Sequence, residues 1–259
     1  MIPEAAITEW GRTVPWPTVE QIEQDLLLSR LIIEIANDDY LGDELVFRGD
    51  TCLHKLHAPH PLRYSEDLDY VRSTGGGIRE LTRAVSQIGH RLGMDVRTRL
   101  TEHPKMFLRA SYEAGAGPMR VKIEVNTFER SPASPPIRIP LDVTSSWFSG
   151  SAEVLTFTLA EVVATKIRAL FQRSKGRDLF DLWLAITQLG VTPSSIVDAF
   201  APYRPDRYTR RRAELNLREK LTRKAFREDI RPLVADWPEE YDIDAAARLV
   251  ITDVLALID

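Results

Sequence analysis

The chain has 259 residues, 44% of them apolar and 28% charged, with a formal net charge of −4. It is long enough for one large unit or two smaller ones, and too acidic overall for a polycation, so any nucleic-acid contact must come from a local basic patch. Its one cysteine, Cys52, excludes an intramolecular disulfide and suits a reducing cytosol, while the absence of an apolar run near ~18 residues argues against a membrane span.

Residues 1–17 read as irregular, with no basic-then-apolar pattern of a signal peptide. Thr18 with Gln21 marks a helix start, and apolar residues from Ile22 to Ile35 carry that helix to about Asn37. Leu41-Gly42-Asp43 reads as a break. Leu45-Val46-Phe47 then leads into a turn at Gly49, a short helix over 51–57, and a second strand over Ser65–Val71. Alternation places Ser65, Asp67 and Asp69 on one face of that strand and Leu68 and Tyr70 on the other. Two carboxylates so close repel each other unless a cation lies between them, and hard oxygen ligands suit Mg²⁺. His54, His57 and His60 are close in sequence, but 58–61 reads as an irregular loop, a poor frame for zinc ligands. Cys52 reads as a small packed residue, and Lys55 as either a phosphate or RNA contact or a solvated cation.

A strand, a Gly turn, a short helix and an Asp-x-Asp strand resemble the nucleotidyltransferase fold of the polymerase-beta type. The wording FRG-x-T followed by RYSEDLDYV is similar to the AbiEii family of nucleotidyltransferase toxins, which includes the MenT toxins. The resemblance implies an α+β fold in which a small mixed sheet flanked by helices is followed by a helical half. It also implies an Mg²⁺-dependent enzyme using two ions with an NTP. Asp67 and Asp69 would be catalytic metal ligands, and Gly49, Thr51 and Ser65 would contact the nucleotide. The acceptor implied is the 3′ end of tRNA, so translation would be blocked in the cytoplasm, and a cognate antitoxin protein would be the partner. One departure is Asp50, where the family usually has a second small residue. An unpaired carboxylate there would oppose a triphosphate or add a metal ligand, and Asp50→Gly would then raise incorporation.

Ser73–Gly77 ends the second strand, and residues 78–93 carry helical spacing stopped by Gly93. Strands are predicted over 94–101, 106–113 and 119–126, with a turn at 115–118. On the last strand Val121, Ile123 and Val125 share one face, and Lys122, Glu124 and Asn126 the other. Glu124 matches the family's third metal-binding carboxylate; it also reads as an outward Glu on an amphipathic strand. Four prolines in 131–140 mark a linker, with an edge strand around Ile137–Ile139. The division expected is therefore a catalytic domain at 1–140 and a helical domain at 141–259.

In the second half, Thr158 to Glu161 forms a capping box for a helix with a buried stripe from Leu159 to Phe171. A polar turn over 172–178 precedes a further helix carrying Asp178 and Asp181. The AbiEii resemblance implies a catalytic Lys166 that neutralises triphosphate oxygens, and a catalytic Asp178 in the motif Arg177-Asp178-Leu179-Phe180-Asp181, the pair closing the nucleotide cleft. A helix cap for Asp178 and a snorkelling Lys166 explain the same residues. From Arg204 to Arg231 there are eleven Lys/Arg against five Asp/Glu, with Arg210, Arg211, Arg212, Arg223 and Lys224 prominent. This is a candidate RNA-phosphate surface, with Tyr203, Tyr208 and Phe226 nearby as stacking or core residues. A last helix from about Ile243 would pack Ala246, Leu249, Val250, Val254, Leu255 and Leu257. The competing functions are a small-molecule nucleotidyltransferase and a catalytically impaired binding protein, the latter on account of Asp50.

Overall fold

The computed structural model describes residues 2–58, 60, 62–234 and 236–259. Met1 of the N-terminal stretch and Pro59 and Pro61 of the expected 58–61 loop lie outside the described residues. The chain forms two units, residues 1–130 with 136–157, and residues 131–135 with 158–259.

The N-terminal stretch expected to be irregular contains a helix, α1 (Glu4–Trp10). Its Ala6 and Ile7 are buried, and the Trp10 indole N–H donates to Asp25 Oδ2 at 2.9 Å, so tertiary contacts stabilise a segment too short to be helical alone. Helix α2 (Val19–Ala36) starts as its cap predicts, the Thr18 hydroxyl oxygen accepting from the Gln21 amide at 3.2 Å. Leu26, Leu28, Leu31 and Ile32 of α2 are fully buried. The break at 41–43 is one helical turn, α3 (Leu41–Glu44), in which a side chain at Gly42 would collide with the Ala36 carbonyl.

Strand β1 (Leu45–Arg48) runs into α4 (Gly49–Cys52), which continues as a wider turn through His57. After β2 (Asp67–Arg72) and α5 (Arg79–Arg91) come β3 (Asp95–Arg99), β4 (Lys105–Ser111), β5 (Pro118–Asn126), β6 (Ile137–Thr144) and β7 (Ser149–Thr156). The second strand begins at Asp67, so Ser65 lies just before it. The seven described strands form one mixed sheet, in the order β3-β4-β5-β2-β1-β7-β6. β2 pairs parallel with β5, β1 parallel with β7, and the remaining pairs are antiparallel. One face is apolar, with Leu68, Tyr70, Met106, Leu108, Val121 and Ile123 buried. Helix α5 packs on β3 and β4, and α2 reaches β5 and β7.

The division expected at residue 140 falls inside β6. The hairpin β6–β7 joins the sheet through β7 on β1, so the first unit runs to Phe157 and only 131–135 leave it. Pro140 is tolerated because β6 is an edge strand, where a missing N–H breaks no second ladder.

The second unit is helical: α6 (Leu159–Gln172), α7 (Gly176–Thr187), α8 (Pro193–Asp198), α9 (Arg210–Leu221), α10 (Lys224–Glu228) and α11 (Ile243–Leu249). Thr158 caps α6 by accepting from the Glu161 amide at 3.4 Å, but the other half of the expected box is not made. Fully buried Glu161 instead accepts from the amides of Ala133 and Ser134, at 2.6 and 3.2 Å, and from the Tyr203 hydroxyl at 2.6 Å. A carboxylate with three donors outcompetes a cap that offers one. The last helix widens after Leu249 and ends in a tighter turn over Leu255–Leu257, leaving Leu257 exposed rather than packed. None of the described helices is long and apolar enough to cross a membrane.

Candidate active site

β2 pairs with β1 and β5 so that three acidic positions meet at one rim of the sheet. Asp67 and Asp69 share a face of β2, Asp69 sits opposite Glu124 of β5, and Arg48 of β1 flanks Asp69 on the other side. Gly49 follows with φ +85, a left-handed conformation that L side chains rarely adopt. A Cβ there would lie 2.8 Å from Asp69 Oδ2, so the glycine both makes the turn and leaves room for the carboxylate. We predict that Gly49→Ala lowers the melting midpoint by several degrees, from a backbone cost of about 1–2 kcal/mol, and cuts turnover at least ~10-fold by displacing Asp69. Thermal melts and turnover measured together check this.

The carboxylates differ in charge environment. Burial pushes the Asp69 carboxyl up to about 6, Asp50 and Asp67 push the same way, and Lys122 and Arg48 oppose them. Lys122, missed in the sequence reading, puts its ammonium 2.9 Å from Asp67 Oδ2 and 3.3 Å from Glu124 Oε2. Lys105 lies 3.3 Å from the same Glu124 oxygen. Burial alone would raise the Glu124 carboxyl, but these two lysines hold it below the ordinary glutamate value. Lys122 itself is raised, burial being outweighed by Asp67, Asp69 and Glu124. The alternation of β5 carried this signal: a lysine two residues before Glu124 must share its face.

The remaining nucleotide candidates are internally engaged. The Thr51 hydroxyl lies 2.9 Å from that of Ser65 and donates to the Asp67 carbonyl, which ties α4 to the start of β2. Asp50 is not an unpaired carboxylate: its Oδ2 lies 3.0 Å from Arg63, whose side chain is completely buried. Cys52 is buried against Phe47 and Thr156. His54 is buried, and burial holds the His57 imidazole down at about 4, so it is neutral near pH 7.

In the second unit, Lys166 is buried with its ammonium 2.8 Å from Asp181 Oδ2. Asp178 accepts two bonds from the Arg173 guanidinium at 2.7 and 2.6 Å. Arg177 pairs with Asp229 through 2.9 and 3.1 Å contacts. Arg210, Arg223 and Lys224 each face a glutamate four residues away or before, Glu214, Glu219 and Glu228 respectively, which spends part of the basic excess locally. Arg211 and Arg212 are exposed on α9. Tyr203, Tyr208 and Phe226 are all buried, so they serve the core and offer no face for stacking.

The two carboxylates side by side on β2, with Glu124 in register on β5, are hard oxygen donors of the kind a divalent ion takes, and burial, helped by Asp50 and Asp67, holds the Asp69 proton more tightly than usual. The fold agrees with solved structures at low sequence identity. The nucleotidyltransferase toxin MenT4 from Mycobacterium tuberculosis H37Rv is similar over 100% of this chain and 91% of its own, at 18% identity and TM-score 0.66. JHP933 from Helicobacter pylori is similar over 93% of this chain and 92% of its own, at 17% identity and TM-score 0.56. A putative nucleotidyltransferase, also from H. pylori, covers 91% of this chain and 92% of its own at 17% identity and TM-score 0.54. No curated protein matches the sequence. The model of the nucleotidyl transferase AbiEii toxin family, described as a Type IV toxin–antitoxin system, matches residues 30–248, a span that contains the Gly49 turn, all three acidic positions and the α7 motif. With that model covering most of the chain and the fold matching a solved toxin structure, the chain belongs to the AbiEii family of nucleotidyltransferase toxins.

Proposed function

We propose that this toxin transfers a nucleotide from an NTP to the 3′ end of tRNA in the cytoplasm, blocking translation, and that a cognate antitoxin protein restrains it. The observation that supports this most is the pairing of Asp67 and Asp69 on one face of β2, with Glu124 in register beside Asp69. Mg²⁺ bound by Asp67 and Asp69, with Glu124 as a further ligand, would neutralise triphosphate charge and lower the pKa of the attacking hydroxyl. The chain's own groups do the rest. Gly49 lets backbone approach the phosphates without a side chain in the way. Lys122 and Lys105 hold positive charge where the phosphates must sit, and either can exchange its carboxylate partner for a phosphate oxygen. In the reaction the acceptor 3′-oxygen bonds to the α-phosphorus, the bond to the bridging oxygen breaks, and pyrophosphate leaves.

The impaired-protein reading loses its ground, because Asp50 is paired with Arg63. For the same reason Asp50→Gly is expected to cost a buried guanidinium its carboxylate partner rather than to raise activity. The test is incubation with each labelled NTP, Mg²⁺ and total tRNA. Label at the RNA 3′ end, lost with EDTA, is the expected result; label only on a small acceptor, or none, rejects the proposal.

A further inference from the structure

The face of the sheet that carries the acidic rim does not end at Glu124. The registers Arg99↔Lys105, Lys105↔Glu124 and Asp69↔Glu124 make one row from β3 to β2, and Arg97↔Phe107, Phe107↔Lys122 and Asp67↔Lys122 make the next. Residues directly opposite in a sheet share a face, so the site and the edge strand β3 lie on one continuous surface. The opposite face is closed: Met106, Leu108, Val121 and Ile123 are buried, and a side chain at Gly89 of α5 would run into Val96 and Leu108. The site-bearing face is open. The Arg97 side chain is 68% exposed, Arg99 and Arg120 are exposed, and Lys105, Phe107 and Arg109 are half-buried.

Its charge is unlike that of the chain. On β3, β4 and β5 this face carries six cations, at 97, 99, 105, 109, 120 and 122, against two acids, Asp95 and Glu124, in a protein of net charge −4. The Arg120 guanidinium stands over the Phe107 ring at 4.3 Å from its centroid, giving a guanidinium-on-ring pair among those cations. Evenly spaced cations suit a chain of phosphates, and a half-exposed ring beside them suits an unpaired base.

We propose that the open face of β3–β4–β5 is the track for the single-stranded 3′ end of the acceptor RNA. Arg97, Arg99 and Arg109 would contact phosphates, and Phe107 with Arg120 would stack a base two strands from the Asp67–Asp69 pair. This rests on the reading of the chain as an RNA nucleotidyltransferase and says where on the first unit that RNA lies. The α9 cluster at Arg210–Arg212 is the alternative surface, and it spends Arg210 on Glu214.

The experiment measures binding of a fluorescent twelve-nucleotide single-stranded RNA to the full chain at several salt concentrations, with transfer to RNA followed in parallel. Arg97→Glu with Arg99→Glu should weaken binding at least tenfold and reduce the slope of log affinity against log salt by about 1.4, at ~0.7 per lost contact. Phe107→Ala should weaken it about tenfold with the salt slope kept. Melting midpoints near that of the unmodified chain show that the fold is retained. Unchanged affinity and slope in both variants overturn the track, as does an equal loss from Arg211→Glu with Arg212→Glu, since that loss would report net charge alone. If the unmodified chain labels RNA while the β3 variants bind normally, the functional reading stands and the track falls. If it binds RNA through these residues but labels none, the track stands and the functional reading falls.

Discussion

Asp69→Asn should reduce nucleotide transfer by roughly 10³-fold, the scale of losing one group aimed at developing charge, while leaving the melting midpoint equal to or above that of the unmodified chain. The opposite signs are the point. Asp69 is half-buried, and burial with Asp50 and Asp67 makes its charged form unfavourable, lifting its carboxyl to about 6. Folding therefore pays for that charge at neutral pH. Asparagine keeps the shape and removes the charge, for a gain on the order of 1 kcal/mol. A group placed for stability behaves the other way, losing stability when neutralised. Asp67→Asn should lose activity similarly but gain no stability, because Lys122 lies 2.9 Å from Asp67 and already offsets it. Initial rates with the best NTP and calorimetric melts decide the matter. More than a tenth of the activity in Asp69→Asn, or a clear fall in its midpoint, would show that this carboxylate is structural.

The site's core was legible because it is local. Gly49 followed by Asp67-x-Asp69 needs only period-two alternation and one left-handed turn to be read, and both hold in the structure. Glu124 opposite Asp69 was reached through the family resemblance, since nothing within β5 says which strand it will pair with. What escaped was set by partners distant in the chain. Asp50 looked like a stray charge until the fold brought Arg63 to it, and the four prolines of 131–140 read as a linker with an edge strand at Ile137–Ile139, whereas that strand belongs to a hairpin that β1 completes. Aromatics near the basic segment were ambiguous for a similar reason. A tyrosine beside arginines is equally a stacking surface or a core residue, and Tyr203 and Tyr208 turned inward. The rows from Glu124 to Arg99 and from Lys122 to Arg97 were invisible because β3, β4 and β5 are adjacent only once their registers are fixed.

Lys166→Met should destabilise the helical unit by about 3–5 kcal/mol, because it leaves Asp181, itself fully buried, without the ammonium 2.8 Å away. A fall in midpoint on the order of 10 °C is expected for a unit of this size. Activity will fall too, but that loss alone says nothing about catalysis, since a loosened unit is impaired whatever Lys166 does. The double change Lys166→Met with Asp181→Leu separates the two. It removes both charges and fills the space, and such replacements are commonly neutral or stabilising, so the midpoint should return to near the starting value. If Lys166 also balances charge on the departing pyrophosphate, transfer should remain depressed by roughly 10²-fold in the refolded double variant. If activity returns with stability, Lys166 is only the counter-ion of Asp181. Arg173→Met provides the parallel measurement for Asp178, where the two guanidinium contacts at 2.7 and 2.6 Å come from a side chain that is 47% exposed. There the stability loss should be smaller, because water can reach the arginine side of the pair and soften the cost of breaking it.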